Sequence, residues 1–410
     1  MNFLTKLKLL QFSYNFEKDY ISKIVRNTMG FFIIGMGLLF LGTEILFHLS
    51  KYLYYGGFFA LLMGFFTILT GDIDIHSPKK LVIETINPNH LNNINTNGTY
   101  GEYYREEFNG QYYIYSDLIN GLLSKYTNQL VFLDEKFELT DDLRKLAPFS
   151  LHQFPTVKNN KLFGSQARLV TDITPGRIIH AKDIIIQESD YFSGLCSNEL
   201  VLKKIWSKNF KEPIFSGFNL LAGRDLIVNL EDSFCANLIG VNTLLLTADG
   251  KVISEIQGAN YADNYSQIIP SISTSMEYPK TSKTSLQRLT LQSALINNVN
   301  QNLMRKYNLQ LNEISSFLIG YARLLNRGGK PEFFLISMTT KNFAELKHNK
   351  NMCKEIIDLS LGVWNPEELA GMIKYIGNSS NASIQLHLNC LFLEEQLSDN
   401  QDLKDFLFNK

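Results

Sequence analysis

The segment that decides the fold opens with Gly240-Val-Asn-Thr-Leu-Leu-Leu-Thr247, turns at Ala248-Asp249-Gly250 and continues as Lys251-Val-Ile-Ser-Glu-Ile-Gln257. An Asp-Gly pair between two apolar runs is typical of a β-hairpin, because glycine readily adopts the positive φ that a tight turn requires. The sequence therefore predicts two hairpin strands, 240–247 and 251–257.

A helix and two more strands follow this hairpin. After a loop rich in Ser and Thr, the stretch from Leu286 to Leu309 carries an apolar residue at every fourth position, namely Leu291, Leu295, Val299 and Leu303. This spacing is typical of an amphipathic helix that packs through one stripe. Strands are predicted at 317–324 and 331–339, joined by the turn Asn326-Arg327-Gly328-Gly329. The segment therefore predicts an α+β domain.

This order of elements resembles the Nudix superfamily. The resemblance is most specific in Gly240-Val-Asn-Thr-Leu-Leu-Leu-Thr, Ile319-Gly-Tyr-Ala-Arg and Arg327-Gly-Gly-Lys-Pro-Glu-Phe-Phe. It implies an α/β/α sandwich with a mixed sheet, here with an N-terminal extension. Active members carry Arg-Glu-apolar-x-Glu-Glu-x-Gly-apolar on the helix, preceded by a glycine and a further glutamate. Aligned by the helix end, those positions fall on Gln287, Ser293 and Gln301-Asn302-Leu303, so only the apolar positions match.

The helix face that would carry the hydrolytic motif has the opposite charge here. It presents Asn302, Arg305 and Lys306, and no Asp or Glu occurs from Thr281 to Asn312. Hard divalent cations require oxygen ligands, whereas Arg and Lys bind phosphate directly. We therefore predict a Nudix-like fold that lacks metal-dependent hydrolysis, catalytic residues, a metal site and a cofactor. The alternative is that Arg305 and Lys306 only solvate an exposed face.

The predicted site binds a phosphate-bearing ligand. Its residues come from the Ser/Thr loop, the helix face and the strand pair that follows: Ser271, Ser273, Thr274, Arg305, Lys306, Tyr321, Arg323, Arg327, Lys330, Glu332 and Phe333.

Composition limits the classes of partner. The chain has 410 residues and a formal net charge of −1, which argues against a general binder of DNA or RNA duplexes. Cys196, Cys235, Cys353 and Cys390 are scattered without pairing or metal-ligand spacing. We predict that they are buried, reduced thiols in a cytosolic body.

Two apolar runs near the N-terminus, Met29 to Leu49 and Gly56 to Thr70, predict a transmembrane hairpin, because about 20 apolar residues span a bilayer. Basic residues precede the first run and Lys79-Lys80 follow the second, which places both termini in the cytoplasm and the protein in the inner membrane. The hairpin would contact membrane lipids.

Gly56, Ala60 and Gly64 in the second run fall every fourth residue, a spacing of small residues that favours close helix packing. Glycines such as Gly35 and Gly42 also thin the first predicted helix. They fit either self-association or ordinary packing within one hairpin. Glu44 is an intramembrane carboxylate, a functional candidate by default, although it could instead reach the interface.

The predicted domain layout has five parts. They are a cytosolic N-terminal segment at 1–28, two transmembrane helices at 29–71, a linker at 72–99, an N-terminal extension at 100–240 and the Nudix-like domain with a helical C-terminus at 240–410.

This layout resembles the membrane effectors of bacterial antiphage signalling systems, in which a cyclic oligonucleotide is read by a domain fused to transmembrane helices. The resemblance implies that ligand binding favours a homo-oligomer, whose transmembrane helices then disrupt the membrane. Two alternatives stay open. One is a membrane-anchored hydrolase of nucleoside diphosphate derivatives that recruits Glu277 or Glu332, and the other is a membrane scaffold that binds a protein.

Overall fold

The structure, a computed structural model, describes residues 81–95, 103–153, 164–207, 213–223, 226–256, 267–279, 289–346, 356–358 and 365–408. The chain divides into two compact units. One comprises 1–81 and 141–155, and the other comprises 82–140 and 156–410. The first unit includes the described helix at 141–153, and the second holds the sheets and the other described helices.

The strands are β1 (Leu81–Thr85), β2 (Tyr104–Phe108), β3 (Gln111–Tyr115), β4 (Leu130–Phe132), β5 (Ser165–Leu169), β6 (Ile184–Asp190), β7 (Lys203–Ser207), β8 (Pro213–Ser216), β9 (Ala222–Gly223), β10 (Leu226–Ile227), β11 (Gly240–Leu246), β12 (Val252–Ile256), β13 (Ile268–Pro270), β14 (Ile272–Ser275), β15 (Ile314–Leu324), β16 (Lys330–Thr339) and β17 (Ile356–Asp358).

The helices are α1 (Asp117–Leu123), α2 (Asp141–Gln153), α3 (Pro175–Ile179), α4 (Tyr191–Leu195), α5 (Phe218–Leu221), α6 (Leu291–Tyr307), α7 (Pro366–Gly377), α8 (Ile384–Asp399) and α9 (Gln401–Phe408).

The largest sheet in the described residues has the order β13-β12-β11-β16-β15-β3-β2, with β14 also paired to β11 and β17 to β12. It is mixed, because β11 and β16 run parallel, with Gly240 opposite Glu332, whereas β15 and β16 run antiparallel. Two smaller three-stranded sheets have the orders β1-β7-β8 and β4-β6-β5. The prediction of an α+β fold with a mixed sheet is therefore confirmed.

The local signals that predicted the hairpin and the long helix act as expected. Gly250 has a φ of 71° in the turn between β11 and β12. Helix α6 begins with a capping box, in which Thr290 and Ser293 satisfy each other's backbone N–H groups, and ends at Asn308 in the left-handed conformation. The caps set the two ends of the helix, and the spacing of Leu291, Leu295, Val299 and Leu303 places the apolar stripe on one face of it.

The two helices α6 and α8 cover opposite faces of the large sheet. Side chains alternate between the two faces along a strand. On β11, Val241 and Leu245 therefore pack in the core with the apolar stripe of α6, whereas Leu244 packs in the core with the apolar residues of α8. Residues on one strand thus belong to alternate sides of the sheet.

The predicted helical C-terminus is wrong for the segment that directly follows β16, where the structure describes the chain. Phe343–Glu345 form a single 3-10 turn, and Ile356–Asp358 form β17, which pairs with β12. The β-branched pair Ile356-Ile357 favours the strand, and the edge of β12 supplies its hydrogen bonds. Only α7, α8 and α9 make up the helical C-terminus in the described residues.

The prediction of two transmembrane helices in an inner-membrane protein requires correction. In the described part of the chain no helix is both long and apolar enough to cross a membrane. The longest described helix, α6, has 17 residues and an Asn- and Gln-rich face, whereas about 20 apolar residues are needed. The predicted hairpin at 29–71, with Gly35, Gly42, Glu44, Gly56, Ala60 and Gly64, lies outside the described residues.

Candidate ligand-binding site

The predicted site residues occupy three places rather than one cleft. Lys306 lies with Ser271 beneath the C-terminal end of α6, Arg305 lies on the surface of the same helix, and the remaining cations lie around the turn between β15 and β16. The rings of Tyr321 and Phe333 lie 4.9 Å apart between centres, tilted by 43°, in the core on the α6 side. Ser273 is exposed and Thr274 is half-buried on β14.

Lys306 forms a buried ion pair with an acid from the hairpin. Its Nζ lies 2.5 Å from Glu255 Oε2 and donates to the Ser271 carbonyl at 2.7 Å. The Tyr307 hydroxyl donates to Glu255 Oε1 at 2.8 Å. The side chains of Lys306 and Glu255 are 10% and 4% exposed. The positive charge is therefore enclosed by oxygen atoms of the protein.

Arg305, one residue earlier, points to solvent. Its Nη1 and Nη2 lie 3.3 Å and 3.2 Å from Glu277 Oε1, and Nη2 also donates to Asn302 Oδ1. The two charged side chains are 49% and 54% exposed. An ion pair so exposed contributes roughly 0–1 kcal/mol, so its partners exchange readily with other ions.

Each nitrogen of the Arg323 guanidinium has an acceptor within the protein. Its Nη1 lies 3.1 Å from Asp172 Oδ1, Nε donates to the Gly329 carbonyl at 3.0 Å, and Nη2 donates to the Val228 carbonyl at 3.0 Å. Gly329 has a φ of 70°, and a Cβ there would contact the guanidinium. The arginine thus fixes the turn between β15 and β16.

Arg327 and Lys330 also face carboxylates. Arg327 Nε donates to Glu199 Oε1 at 2.6 Å, and Lys330 pairs with Glu332. Burial lowers the pKa of Lys330, and the adjacent Glu332 carboxylate opposes that effect. The pairs enclose most of this charge within the protein.

Glu332 is held on three sides. It pairs with Lys330 and accepts from Asn242 Nδ2 at 2.8 Å, and a Cβ on Gly240 would overlap its carboxylate. Because neighbouring residues on a strand face opposite sides, Glu332 lies on the other side of the sheet from Phe333 and the core beneath α6. The structure therefore does not bring Lys330 and Glu332 together with Lys306.

Of the carboxylates that form ion pairs with these cations, only Glu277 and Glu332 were named as candidates from the sequence. Glu255, Glu199 and Asp172 each lie far along the chain from their cation. One signal could have identified Glu255. It shares the inward face of β12 with Ile253, and a buried acid requires a cationic or hydrogen-bonding partner.

Arg168 is a further buried cation that sequence reasoning did not single out. It donates to the carbonyls of Ser233 and Cys235 and to Gln187 Oε1, and its guanidinium lies 4.7 Å from the ring centre of Phe137. All of these partners are neutral, and burial lowers the pKa of Arg168 to about 10.

The described cysteines agree with the prediction of reduced thiols. Cys196, Cys235 and Cys390 are buried, and burial raises the pKa of Cys235 to about 12, which disfavours the reactive thiolate. Cys353 lies outside the described residues. Within the described ranges, no group of three or more His, Cys, Asp and Glu side chains is arranged to hold a metal ion.

Comparison with known proteins does not assign this chain to a family. Neither a family model nor a curated protein matches the sequence. Among solved structures the chain is similar to the crystal structure of DR0079 from Deinococcus radiodurans, at 15% identity and a TM-score of 0.23, over 38% of this chain and 80% of that one. A similarity this low carries no argument about the fold or function of the chain.

Proposed function

We propose that this chain is a nucleotide receptor, a Nudix-like domain that binds a cyclic oligonucleotide without hydrolysing it. The observation that carries the proposal is the placement of Lys306. Carboxylate and carbonyl oxygens are the ligands that hard divalent cations use, and the Lys306 ammonium occupies the space between Glu255 and the Ser271 carbonyl. An ammonium group neutralises the carboxylate but cannot bind and activate a water molecule as a metal ion does.

The order of elements supports the Nudix-like part of the proposal. The hairpin β11–β12, the helix α6 and the pair β15–β16 follow one another along the chain, and α6 and α8 cover opposite faces of the mixed sheet. This is the α/β/α arrangement that the resemblance implies.

The proposed contact with phosphate is Arg305. Among the cations predicted for the site, it is half exposed and its partner Glu277 is equally exposed. A phosphate group accepts from a guanidinium in two parallel hydrogen bonds, a stronger interaction than the exposed carboxylate contact. A phosphate can therefore replace Glu277 at Arg305 at small free-energy cost, whereas the buried pair at Lys306 stays intact.

Ligand occupancy would act by favouring a homo-oligomer, to the extent that the oligomer binds the ligand more tightly than the monomer does. This is the mode of action of the cyclic-oligonucleotide effectors of antiphage signalling that the sequence resembles.

The test is thermal unfolding of the full-length chain with cyclic diadenylate, cyclic diguanylate, cyclic triadenylate and linear nucleoside diphosphates, each with and without Mg²⁺. A ligand that binds only the folded state stabilises it by about 2.7 kcal/mol at a hundredfold excess over its Kd. We expect a shift with one cyclic nucleotide, independent of Mg²⁺, and intact nucleotide afterwards.

Two outcomes would contradict the proposal. A panel without any shift would favour a protein-binding scaffold, and a Mg²⁺-dependent conversion of nucleotide to product would favour a hydrolase. Arg305→Gln should reduce the shift. The matched control is Arg177→Gln, because Arg177 also forms a surface ion pair, 2.9 Å from Glu231, and should leave the shift unchanged.

A further inference from the structure

Strand β2 forms one edge of the large sheet and is mostly exposed. Four of its five residues, Tyr104 to Glu107, are exposed, and Phe108 is half-buried. Among the described residues, β2 pairs with β3 on one side and with no strand on the other. At the opposite edge, β13 is closed by hydrogen bonds between Ile268 and residues Asn381 and Ser383. Unpaired edge strands offer hydrogen-bonding groups to another chain.

The turn between β2 and β3 determines which backbone groups point outward. Asn109 and Gly110 both have positive φ, 50° and 76°, as in a two-residue type I′ hairpin loop. The residues that flank such a loop, Phe108 and Gln111, exchange backbone hydrogen bonds. Backbone groups alternate along a strand, so Arg105 and Glu107 present their N–H and C=O groups to the open edge. In agreement, Tyr112, opposite Glu107, sends its N–H away from β2 to Asn326 Oδ1.

The sequence of β2, Tyr104-Arg105-Glu106-Glu107-Phe108, is complementary to itself when two copies run antiparallel and the centre is Glu106. Arg105 then lies opposite Glu107 of the second copy, and these are the residues whose backbone groups point outward. Tyr104 lies opposite Phe108 of the second copy. Every one of these registers opposes one like-charged pair at its centre, but centring the pairing on Arg105 or on Glu107 gives no Arg–Glu pair to offset that repulsion.

We propose that β2 is a dimerisation edge, at which two copies of this chain join their sheets antiparallel about Glu106. The pairing gives four backbone hydrogen bonds, from Arg105 and Glu107 of each copy, two Arg–Glu pairs and two aromatic pairs. The usual role of charges on an edge strand is to prevent such pairing, but here their order matches that of a second copy.

The Arg–Glu pairs compete with contacts inside each chain. Arg105 Nη1 donates to the Ile94 carbonyl and Glu107 Oε1 accepts from the Gly110 N–H, both at 2.5 Å. The dimer requires these side chains to exchange those partners for each other.

The central glutamates also oppose the dimer. The two Glu106 carboxylates face each other at the centre, although each accepts hydrogen bonds from its own Tyr113 and Tyr115 hydroxyls at 2.9 Å and 3.2 Å. Glu106→Gln removes the repulsion and retains an acceptor for the tyrosines. The dimer should therefore become tighter in this variant.

The test is analytical ultracentrifugation of the full-length chain without ligand. We expect a concentration-dependent dimer. Arg105→Glu and Glu107→Arg should each weaken it at least about tenfold, since two attractive pairs become repulsive. The double variant Arg105→Glu/Glu107→Arg should recover the wild-type dimer, because opposite charges face each other again. Lys125→Glu is the control, an exposed residue outside β2 with the same change of charge as Arg105→Glu.

Three results would overturn the proposal: a monomer at every concentration, a dimer unaffected by the single charge reversals, or a double variant that remains as weak as the single ones. If either reversal unfolds the chain, Glu106→Gln still tests the pairing, and an unchanged Kd of dimerisation would contradict it. Because no nucleotide is present, the result is independent of the proposed receptor function.

Discussion

Arg305 and Lys306 are adjacent cations on one helix, yet their surroundings are opposite. Arg305 shares the surface with Glu277, whereas Lys306 is enclosed with Glu255, the Ser271 carbonyl and Tyr307. Successive helical residues point about 100° apart, so one faces solvent and the other faces the sheet. Removing the enclosed cation would leave a buried carboxylate uncompensated, whereas removing the exposed one leaves a solvated carboxylate. We therefore propose a structural role for Lys306 and a ligand-binding role for Arg305.

The largest expected effect is that of Lys306→Met. The variant leaves Glu255 ionised in a buried place and should lower the free energy of unfolding by about 3–5 kcal/mol, measured in urea. Replacing both partners, as Lys306→Met/Glu255→Met, should recover most of this loss, because no unpaired charge remains. A loss below about 1 kcal/mol in the single variant would mean that the pair is effectively solvated.

The second buried pair, Lys330 with Glu332, should be equally fixed, and Gly240→Ala tests this. A Cβ at residue 240 would overlap the Glu332 carboxylate, which Lys330 and Asn242 hold in place. Overpacking of this kind costs about 1–3 kcal/mol. The control is Gly121→Ala, where a Cβ meets open space in α1 and should stabilise the chain by up to about 1 kcal/mol. A Gly240→Ala variant as stable as the wild type would show that Glu332 moves freely.

Glu395 is a partly buried carboxylate that lies near other acids, whereas Glu255 and Glu332 are each paired with a lysine. Burial raises the pKa of Glu395 to about 8 from its ordinary 4.5, reinforced by the carboxylates of Asp117, Glu106 and Glu394 and opposed by a hydrogen bond with Tyr115. The folded chain thus binds a proton that the unfolded chain has released between these values. The more favourable protonation of Glu395 in the folded chain therefore stabilises the fold fully below pH 4.5, and this stabilisation is lost as the pH rises toward about 8.

Glu395→Gln should flatten that part of the pH dependence. The measurement is the thermal midpoint of both proteins at several pH values across this interval. Equal slopes for the variant and the wild type would contradict the raised pKa.

Arg305→Gln should have the smallest effect on stability, less than about 1 kcal/mol in the same urea assay, because the Arg305–Glu277 pair is exposed. A larger loss would place Arg305 in the folded core instead, and the comparison between the two neighbours would then fail.

Local signals predicted the elements around α6 well. The Asp-Gly turn and the every-fourth apolar stripe each act within a few residues, so the hairpin and the helix could be derived from the sequence, although the cap at Thr290, which starts the helix at Leu291 instead of Leu286, was missed. The apolar alternation that separates the two sides of the sheet is also local. β17 was missed because a short strand depends on the edge of β12, which is distant along the chain.

The ion-pair partners in the candidate site could not be predicted as well as the helices and strands. Absence of acids from 281–312 indicated a cationic helix face, but folding brings Glu255 and Glu277 to that face from the hairpin and the loop before α6. Which of the two neighbours, Arg305 or Lys306, is neutralised in the interior depends on carboxylates that are distant along the chain. The transmembrane prediction came from hydropathy alone, and no described helix supports it.

The most direct test of the central claim is the affinity of three proteins for the cyclic nucleotide that shifts the thermal midpoint most. They are the wild type, Glu277→Gln and Arg305→Gln, titrated calorimetrically without Mg²⁺. The account predicts that Glu277→Gln binds more tightly, because Arg305 loses its competing carboxylate, and that Arg305→Gln binds at least about tenfold more weakly, since a charge-assisted contact is lost. Equal affinities of all three proteins would contradict the account.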